Sequence, residues 1–389
     1  MDNKLFETLI ERKNTGAVKW DYLGEIYGAQ DLLPMWVADM DFPSPEPVQE
    51  ALIDRIKHPV FGYTAPSKTI NDTIQAWMKT RHGWDIKKSW IMFSQGVVSA
   101  LAVTIQAFTE PGDKVMLQSP VYTPFFDMIK NNEREVVNSQ LQITENRFTI
   151  DFTDFEEKLK SGVKLFLLCN PHNPGGRIWT KEELAQIGEL CMKYGVIIIS
   201  DEIHGDLYLP EFKHIPLASI DKRYANITVT LMAPSKTFNI AGLQSSLMIT
   251  ENMEFQKKIK AVQDRNAFHG LNLFGLAAME AAYRDGEDWL NGLMAYLTEN
   301  VEITKDFISR ELPEIGFMYP EASYLVWLDC RKLGLTDEEL KKALVEKGKL
   351  ALEPGTKYGP GGEGFVRMNI GCPRPILLEG LQRLKKSFS

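Results

Sequence analysis

The stretch that decides the fold runs from Val163 to Asp201 and reads VKLFLLCNPHNPGGRIWTKEELAQIGELCMKYGVIIISD. It begins and ends with apolar runs of strand length, Val163–Cys169 and Val196–Ser200. The interval Thr180–Tyr194 has a helical period and opens with Thr-Lys-Glu-Glu, the sequence signature of a capping box. A strand, a helix and a strand in this order predict a βαβ unit whose strands are parallel and buried on both faces.

The same alternation continues on both sides of this unit. Further apolar runs of strand length are Trp90–Phe93, Lys114–Leu117, Ile227–Met232 and Ser246–Thr250. Strands separated by helical segments predict an α/β fold with a mostly parallel sheet flanked by helices.

Around Asp285 the alternation of strands and helices ends, and a long segment with helical periodicity follows, from Glu287 to about Leu312. Two more strands, Ser323–Leu328 and Phe365–Ile370, follow it and predict a smaller α+β domain. We expect residues 1–45 to form an N-terminal arm and part of the small domain, residues 46–285 the large domain, and residues 286–389 the C-terminal small domain.

Composition excludes several classes of partner. The 389 residues carry 44 Lys and Arg against 52 Asp and Glu, a formal charge of −8, without a long basic run. This balance argues against nucleic acid or an anionic membrane surface as the main partner, and no apolar stretch reaches the roughly 20 residues that span a bilayer. Four scattered cysteines and a charged N-terminal segment without an apolar core predict a cytoplasmic protein.

Lys236 is the first candidate for chemistry, because it directly follows an apolar strand. Ligands bind at the carboxyl edge of parallel sheets, and a desolvated lysine there can act as a nucleophile and form a Schiff base with a carbonyl. Taken alone, however, most lysines that follow strands are solvated.

Three more strand ends carry residues that could bind a ligand. Asp201 ends a very apolar strand, where a carboxylate is costly unless it meets a cation such as a pyridinium nitrogen. A metal site completed by His204 is the alternative reading. Asn173 lies in a rigid turn with two prolines and two glycines, and Gly96 joins a strand to a helix whose free N–H groups could bind phosphate.

These features together resemble the fold-type I family of pyridoxal-phosphate (PLP) enzymes, the aspartate aminotransferase superfamily, over essentially the whole chain. Within it, the chain is most similar to the cystathionine β-lyase, or cysteine C–S lyase, branch. The segments that carry this resemblance are Met35–Phe42, Phe61–Thr64, Asp201–His204, Ser235–Asn239 and Ala241–Gln244.

The resemblance implies PLP as cofactor, no metal, and a role for each of several residues. Lys236 would be catalytic and hold the cofactor covalently, Asp201 would pair with its ring nitrogen, and Tyr122 would stack on its ring. Arg367 would clamp the α-carboxylate of an amino-acid substrate. The other residues implied are Asn173, Ser235 and His204 around the cofactor, Gly96, Val97 and Val98 at its phosphate, Ala38 and Asn173 at the substrate, and Tyr63 reaching across a homodimer to the neighbouring subunit's phosphate.

Two positions depart from the aminotransferase pattern. Gln244 stands where these enzymes usually have an arginine for the phosphate, and Ala233 stands where many have a hydroxyl. The resemblance predicts β-elimination from S-substituted cysteines, giving a thiol, pyruvate and ammonia. The alternatives are a class I/II aminotransferase and a regulatory protein that retains the PLP site and binds a transcription factor.

Overall fold

A computed structural model describes residues 4–268 and 270–389. The strands are β1 (Leu33–Pro34), β2 (Ile91–Ser94), β3 (Lys114–Leu117), β4 (Glu135–Asn138), β5 (Gln142–Thr144), β6 (Arg147–Thr149), β7 (Val163–Cys169), β8 (Ile197–Asp201), β9 (Thr228–Met232), β10 (Ser246–Ile249), β11 (Gly316–Met318), β12 (Leu325–Asp329), β13 (Leu350–Ala351), β14 (Glu353–Pro354) and β15 (Phe365–Asn369). The helices are α1 (Lys4–Glu7), α2 (Val18–Asp21), α3 (Leu23–Tyr27), α4 (Glu46–Lys57), α5 (Ile70–His82), α6 (Val97–Phe108), α7 (Pro124–Asn131), α8 (Phe152–Lys160), α9 (Lys181–Tyr194), α10 (Lys222–Ala225), α11 (Pro234–Thr237), α12 (Met253–Arg265), α13 (Leu273–Asp285), α14 (Glu287–Glu311), α15 (Asp337–Lys342) and α16 (Arg374–Ser387).

The predicted α/β fold is confirmed by a seven-stranded sheet with the order β2-β10-β9-β8-β7-β3-β4. Neighbours from β9 to β4 run parallel. Successive residues of β7 pack into different cores, since Leu165 and Leu167 join one apolar cluster while Phe166 and Leu168 join another. Both faces of the strand are therefore buried, as its continuous apolar run predicts.

One strand of this sheet departs from the parallel pattern. Strand β10 pairs antiparallel with both β9 and β2. The connection from β9 to β10 contains only the short helix α11 and a single 3-10 turn, Ala241–Leu243, where a parallel crossover normally carries a long helix across the sheet. The chain therefore turns back beside β9, and Lys236 lies within this return.

The second large sheet is antiparallel, with the order β11-β12-β15-β14. It shares a core with α14 and α16, in which Leu293, Leu297 and Leu381 pack with Met368. The opening stretch, which shows no clear period in the sequence, holds the short helices α1 to α3 and the strand β1, which pairs with β13. The domain limits at residues 45 and 285 stay a prediction. Across the described ranges, no helix combines the length and apolar character needed to cross a membrane.

Candidate active site

A cavity of about 480 Å³ opens at the carboxyl ends of β7 and β8. Its wall combines residues of the parallel sheet with residues of β14 and β15 and of the segment that follows β1. The predicted site residues that line it are Ala38, Val97, Val98, Tyr122, Asn173, Asp201, His204, Lys236 and Arg367. Positions that lie up to 329 residues apart in sequence, the difference between 367 and 38, are thus brought together.

Lys236 lies on α11 with its amine held toward the segment after β1. Its Nζ donates to the carbonyl oxygen of Ala38 at 2.6 Å, and the hydroxyl of Tyr324 donates to the same oxygen at 2.9 Å. Burial, and next the positive charge of Arg367, lower the pKa of Lys236 to about 8. A substantial fraction of the amine is therefore neutral near physiological pH, as a nucleophile or a base must be.

Asp201 ends β8 and is 2% exposed. Its Oδ1 accepts a hydrogen bond from the backbone N–H of Ile203 at 3.2 Å. Burial raises the pKa of Asp201 to about 7, and no Lys, Arg or His of the described chain lies within ion-pair distance of it. A buried carboxylate without a cation is a site that a cationic ligand atom would stabilise.

Arg367 on β15 is 4% exposed and keeps part of its donor capacity unused. Nη2 donates to the carbonyl oxygen of Trp36 at 2.7 Å, and Nη1 donates to Oδ1 of Asn173 at 3.2 Å. Its Nε is buried and has no hydrogen-bond partner among the residues that the structure describes, and Oε2 of Glu353 lies 3.9 Å from Nη2. A buried guanidinium with an unpartnered N–H is suited to bind a carboxylate ligand.

The start of α6 contributes to the cavity wall. Gly96 precedes the helix with φ +102°, a conformation that favours glycine, and Val97 and Val98 begin the helix and line the cavity. The first N–H groups of a helix have no intrahelical acceptor and form the positive end of the helix dipole. This end of the cavity is therefore suited to an anion such as phosphate.

Two further predicted residues line the cavity in their neutral forms. Burial, and next the charge of Asp201, raise the pKa of Tyr122 to about 12, so its hydroxyl keeps its proton. Burial, followed by the charges of Lys236 and Arg367, lowers the pKa of His204 to about 3. The Nδ1 of His204 lies 3.2 Å from the hydroxyl of Ser323.

Other predicted residues lie outside the cavity wall. Gly96 and Ser235 are neighbours of lining residues but are absent from the wall, and the exposed Gln244 does not reach it. Tyr63 is fully exposed and does not line the cavity of its own chain. Within residues 4–268 and 270–389, no group of three or more His, Cys, Asp or Glu side chains could hold a metal ion, so the metal reading of Asp201 gains no support there.

Sequence reasoning gave no role to several residues of the wall. Trp36 and Ile203 lie inside segments that carry the resemblance, which was the only available signal for them. The positions of the others depend on long-range pairing, which local patterns do not reveal. These others include Thr123, Asp127, Glu353, Lys357 and Tyr358.

The chemical groups that line the cavity fit PLP. An unpaired buried carboxylate suits a protonated ring nitrogen, an amine of lowered pKa suits a carbonyl carbon, and a helix start suits a phosphate. The unpartnered Nε of Arg367 adds a binding point for the carboxylate of an amino acid.

The chain is similar to known proteins over almost its whole length. The family model described as aminotransferase class I and II matches residues 31–384. The cystathionine β-lyase PatB of Bacillus subtilis is 50% identical over 385 residues, which cover 99% of this chain and 100% of that protein. The crystal structure of cystalysin from Treponema denticola, which contains PLP, superposes with a TM-score of 0.94 at 37% identity and 98% coverage of both chains. The PLP-bound C–S lyase of Staphylococcus hominis, complexed with the inhibitor L-cycloserine, superposes with a TM-score of 0.92 at 33% identity, covering 99% of this chain and 98% of that one.

Proposed function

We propose that this chain, which belongs to the class I and II aminotransferase family, is a PLP-dependent carbon–sulfur lyase acting on S-substituted cysteines such as cystathionine. One substrate molecule and one water give a thiol, pyruvate and ammonia. The observation that carries the proposal is the convergence of Lys236, Asp201 and Arg367 in one cavity of a chain half identical to a cystathionine β-lyase.

Particular residues of the cavity would hold the cofactor. Lys236 would bind it covalently, Asp201 would pair with its ring nitrogen, and Tyr122 and Asn173 would contact its ring. The N–H groups of Gly96, Val97 and Val98 would bind its phosphate, with Ser235 and His204 close by. When bound, PLP supplies an electron sink for the electron pair left at Cα of the substrate.

The chain's own residues would direct the reaction. Arg367 binds the α-carboxylate through its free N–H groups, while Asn173 and the carbonyl oxygen of Ala38 fix the neighbouring geometry. The substrate's amino group would first replace Lys236 on the cofactor and so free the lysine amine. The orientation set by Arg367 turns the Cα–H bond toward this amine, which takes the proton. The Cβ–S bond then breaks with its electron pair remaining on sulfur, which takes up a proton and leaves as the thiol. Water hydrolyses the remaining enamine to pyruvate and ammonia.

Assembly into a closed two-fold dimer forms part of the proposal. The residues Val60, Phe61 and Tyr63 are 62%, 56% and 112% exposed, an unusual density of exposed hydrophobic residues. In a dimer this segment would be covered, and Tyr63 would reach the phosphate in the other subunit. We place the protein in the cytoplasm, where reducing conditions suit its four buried free cysteines.

The decisive assay uses L-cystathionine as the sole organic substrate, without an added keto acid. Pyruvate and free thiol should accumulate in equal amounts over many turnovers. If turnover instead stops after one cycle and resumes only when a keto acid is added, the protein is an aminotransferase and the lyase proposal is wrong.

A further inference from the structure

Ser323 is a buried serine with an unusual backbone conformation, just before β12. It is 3% exposed, and its φ is +76°, a left-handed conformation that is costly for residues other than glycine. Its backbone N–H donates to the carbonyl oxygen of Leu207 at 2.7 Å, and the N–H of Ala322 donates to the carbonyl oxygen of Gly176 at 2.9 Å. Contacts with the segments that follow β7 and β8 therefore hold the serine in this conformation.

The hydroxyl of Ser323 lies against the ring of His204. Its Oγ is 3.2 Å from Nδ1 of His204, and this nitrogen is its one hydrogen-bond partner among the residues that the structure describes. His204 is itself 3% exposed and lines the cavity. The other ring nitrogen, Nε2, forms no hydrogen bond within the described ranges and is not among the buried polar atoms without a partner, so it faces the cavity.

The hydroxyl proton of Ser323 decides which nitrogen of His204 carries a proton. A buried O–H donor that is left without an acceptor costs free energy, so the hydroxyl donates to Nδ1, its one partner. Burial, and next the charges of Lys236 and Arg367, lower the pKa of His204 to about 3, so the imidazole is neutral and has a single N–H. That N–H therefore lies on Nε2.

The residue after Ser323 restrains the same part of the site. The ring of Tyr324 packs edge-on against that of His204, with 6.2 Å between the ring centroids. Its hydroxyl donates to the carbonyl oxygen of Ala38, which also accepts from the amine of Lys236. Ser323 and Tyr324 together therefore restrain the ring of His204 from two directions, and the ring cannot turn without breaking one of these contacts.

We propose that Ser323 is a positioning residue that holds His204 as a neutral imidazole with its proton on Nε2, so that His204 presents a fixed N–H donor to the cavity. This donor suits an oxygen atom of the bound cofactor, because a neutral N–H adds no charge beside Lys236 and Arg367. The inference rests on the proposed function for the identity of the ligand. The position of the proton does not depend on which reaction follows.

The test is nitrogen NMR of the full chain with isotope-labelled histidine, recorded at neutral pH with and without PLP. The spectrum distinguishes a ring nitrogen that carries a proton from one that does not, and His204→Gln identifies the signals of His204 by their loss. In the parent chain, Nε2 should be protonated and Nδ1 should not. Addition of PLP should shift the Nε2 signal, because the N–H then gains an acceptor.

Two substitutions remove the hydroxyl and differ in their effect on the backbone. Ser323→Ala keeps the cost of the left-handed conformation, whereas Ser323→Gly relieves it. Both should raise the ratio of the Nδ1–H form to the Nε2–H form about fivefold, which corresponds to the loss of one neutral hydrogen bond. A role of Ser323 in the backbone alone would make the two variants differ from each other and would leave this ratio unchanged.

Ser139→Ala is the matched control, because Ser139 is 1% exposed and its hydroxyl has no hydrogen-bond partner within the described ranges. It should leave the signals of His204 unchanged. A parent chain with the proton on Nδ1, a ratio that neither Ser323 variant changes, or an Nε2 signal that does not respond to PLP would overturn the inference. If the NMR results are as expected but the parent releases no pyruvate from L-cystathionine, the lyase proposal fails while the role of Ser323 stands.

Discussion

The unpaired carboxylate of Asp201 should make the cofactor-free protein less stable as the pH rises. Its pKa is raised from 3.8 to about 7, so the folded chain binds more protons than the unfolded chain between these values. The free energy of unfolding therefore falls as the pH increases from about 4 to 7 and loses no more from this group above 7. At 1.36 kcal/mol for each unit of pKa, the full cost of ionising Asp201 in the fold is on the order of 4 kcal/mol.

Asp201→Asn removes this ionisation while keeping the size of the side chain and an acceptor for the N–H of Ile203. The cofactor-free variant should gain stability relative to the parent chain, and by the same linkage its advantage should grow by about 2–3 kcal/mol between pH 5 and pH 8. Urea unfolding of both chains across this range, followed by circular dichroism, measures the difference. Asp85→Asn is the control, because Asp85 is 73% exposed and lies 3.8 Å from Lys79.

Cofactor binding should reverse the order of stability. PLP should stabilise the parent chain more than the Asn variant, because only the parent offers an anion to the ring nitrogen. The variant should also lose most of its lyase activity, since an unprotonated ring is a poorer electron sink. A pH dependence identical in parent and variant, or an Asn variant that is less stable at pH 8, would refute the view that Asp201 is an uncompensated buried charge.

Four further substitutions test other parts of the site. Lys236→Ala should lower turnover about a thousandfold or more, and borohydride reduction of the parent should place the cofactor adduct on Lys236 by peptide mapping. Arg367→Ala should raise KM about a hundredfold or more for lyase substrates and amino donors alike, whereas an effect on kcat alone would contradict a carboxylate clamp. Tyr63→Ala chains mixed with Lys236→Ala chains should regain about a quarter of parental activity through hybrid dimers with one complete site, and a fully active monomer in sedimentation would exclude this arrangement. Asp206→Ala should lower the free energy of unfolding by about 3–5 kcal/mol in urea titration, and a loss below about 1 kcal/mol would show that its buried contacts are not stabilising.

Local signals made much of the fold predictable. Thr180 closes a capping box with Glu183, and α9 begins at the next residue. The helix predicted from Glu287 to about Leu312 is α14, which ends at Glu311. In both cases the deciding interactions lie within a few residues of one another, so the sequence pattern contains them.

Long-range pairings were not predictable in this way. The reversed direction of β10 depends on how the chain returns beside β9, and the alignment of Glu353 with Arg367 depends on the β14–β15 pair. The contact between Lys236 and the carbonyl oxygen of Ala38 joins residues 198 positions apart. The types of residue in the site could be inferred from the resemblance, but its outer charges could be located only in three dimensions.

A buried polar network lies beside both Asp201 and Lys236. Asp206 accepts hydrogen bonds from the hydroxyl of Thr237 at 2.7 Å and from the indole of Trp77 at 3.0 Å, and it lies 2.9 Å from Nε2 of His82. The Nδ1 atoms of His82 and His214 lie 3.2 Å apart. Nε2 of His214 lies 3.2 Å from Oε2 of Glu202, the residue that follows Asp201 in the chain.

Glu202 directly follows Asp201 and Thr237 directly follows Lys236, so the network reaches the neighbours of both proposed cofactor-binding residues. Because Asp206 and Glu202 are almost fully buried, their carboxyl groups depend on the hydrogen bonds that they accept, and removing one of the donors would destabilise the fold. The network thereby fixes the end of β8 relative to the turn of α11. Asp201 on β8 and Lys236 on α11 are then held at a constant separation. A constant separation is what the proposed function requires, because both residues would act on the ring of the same PLP molecule.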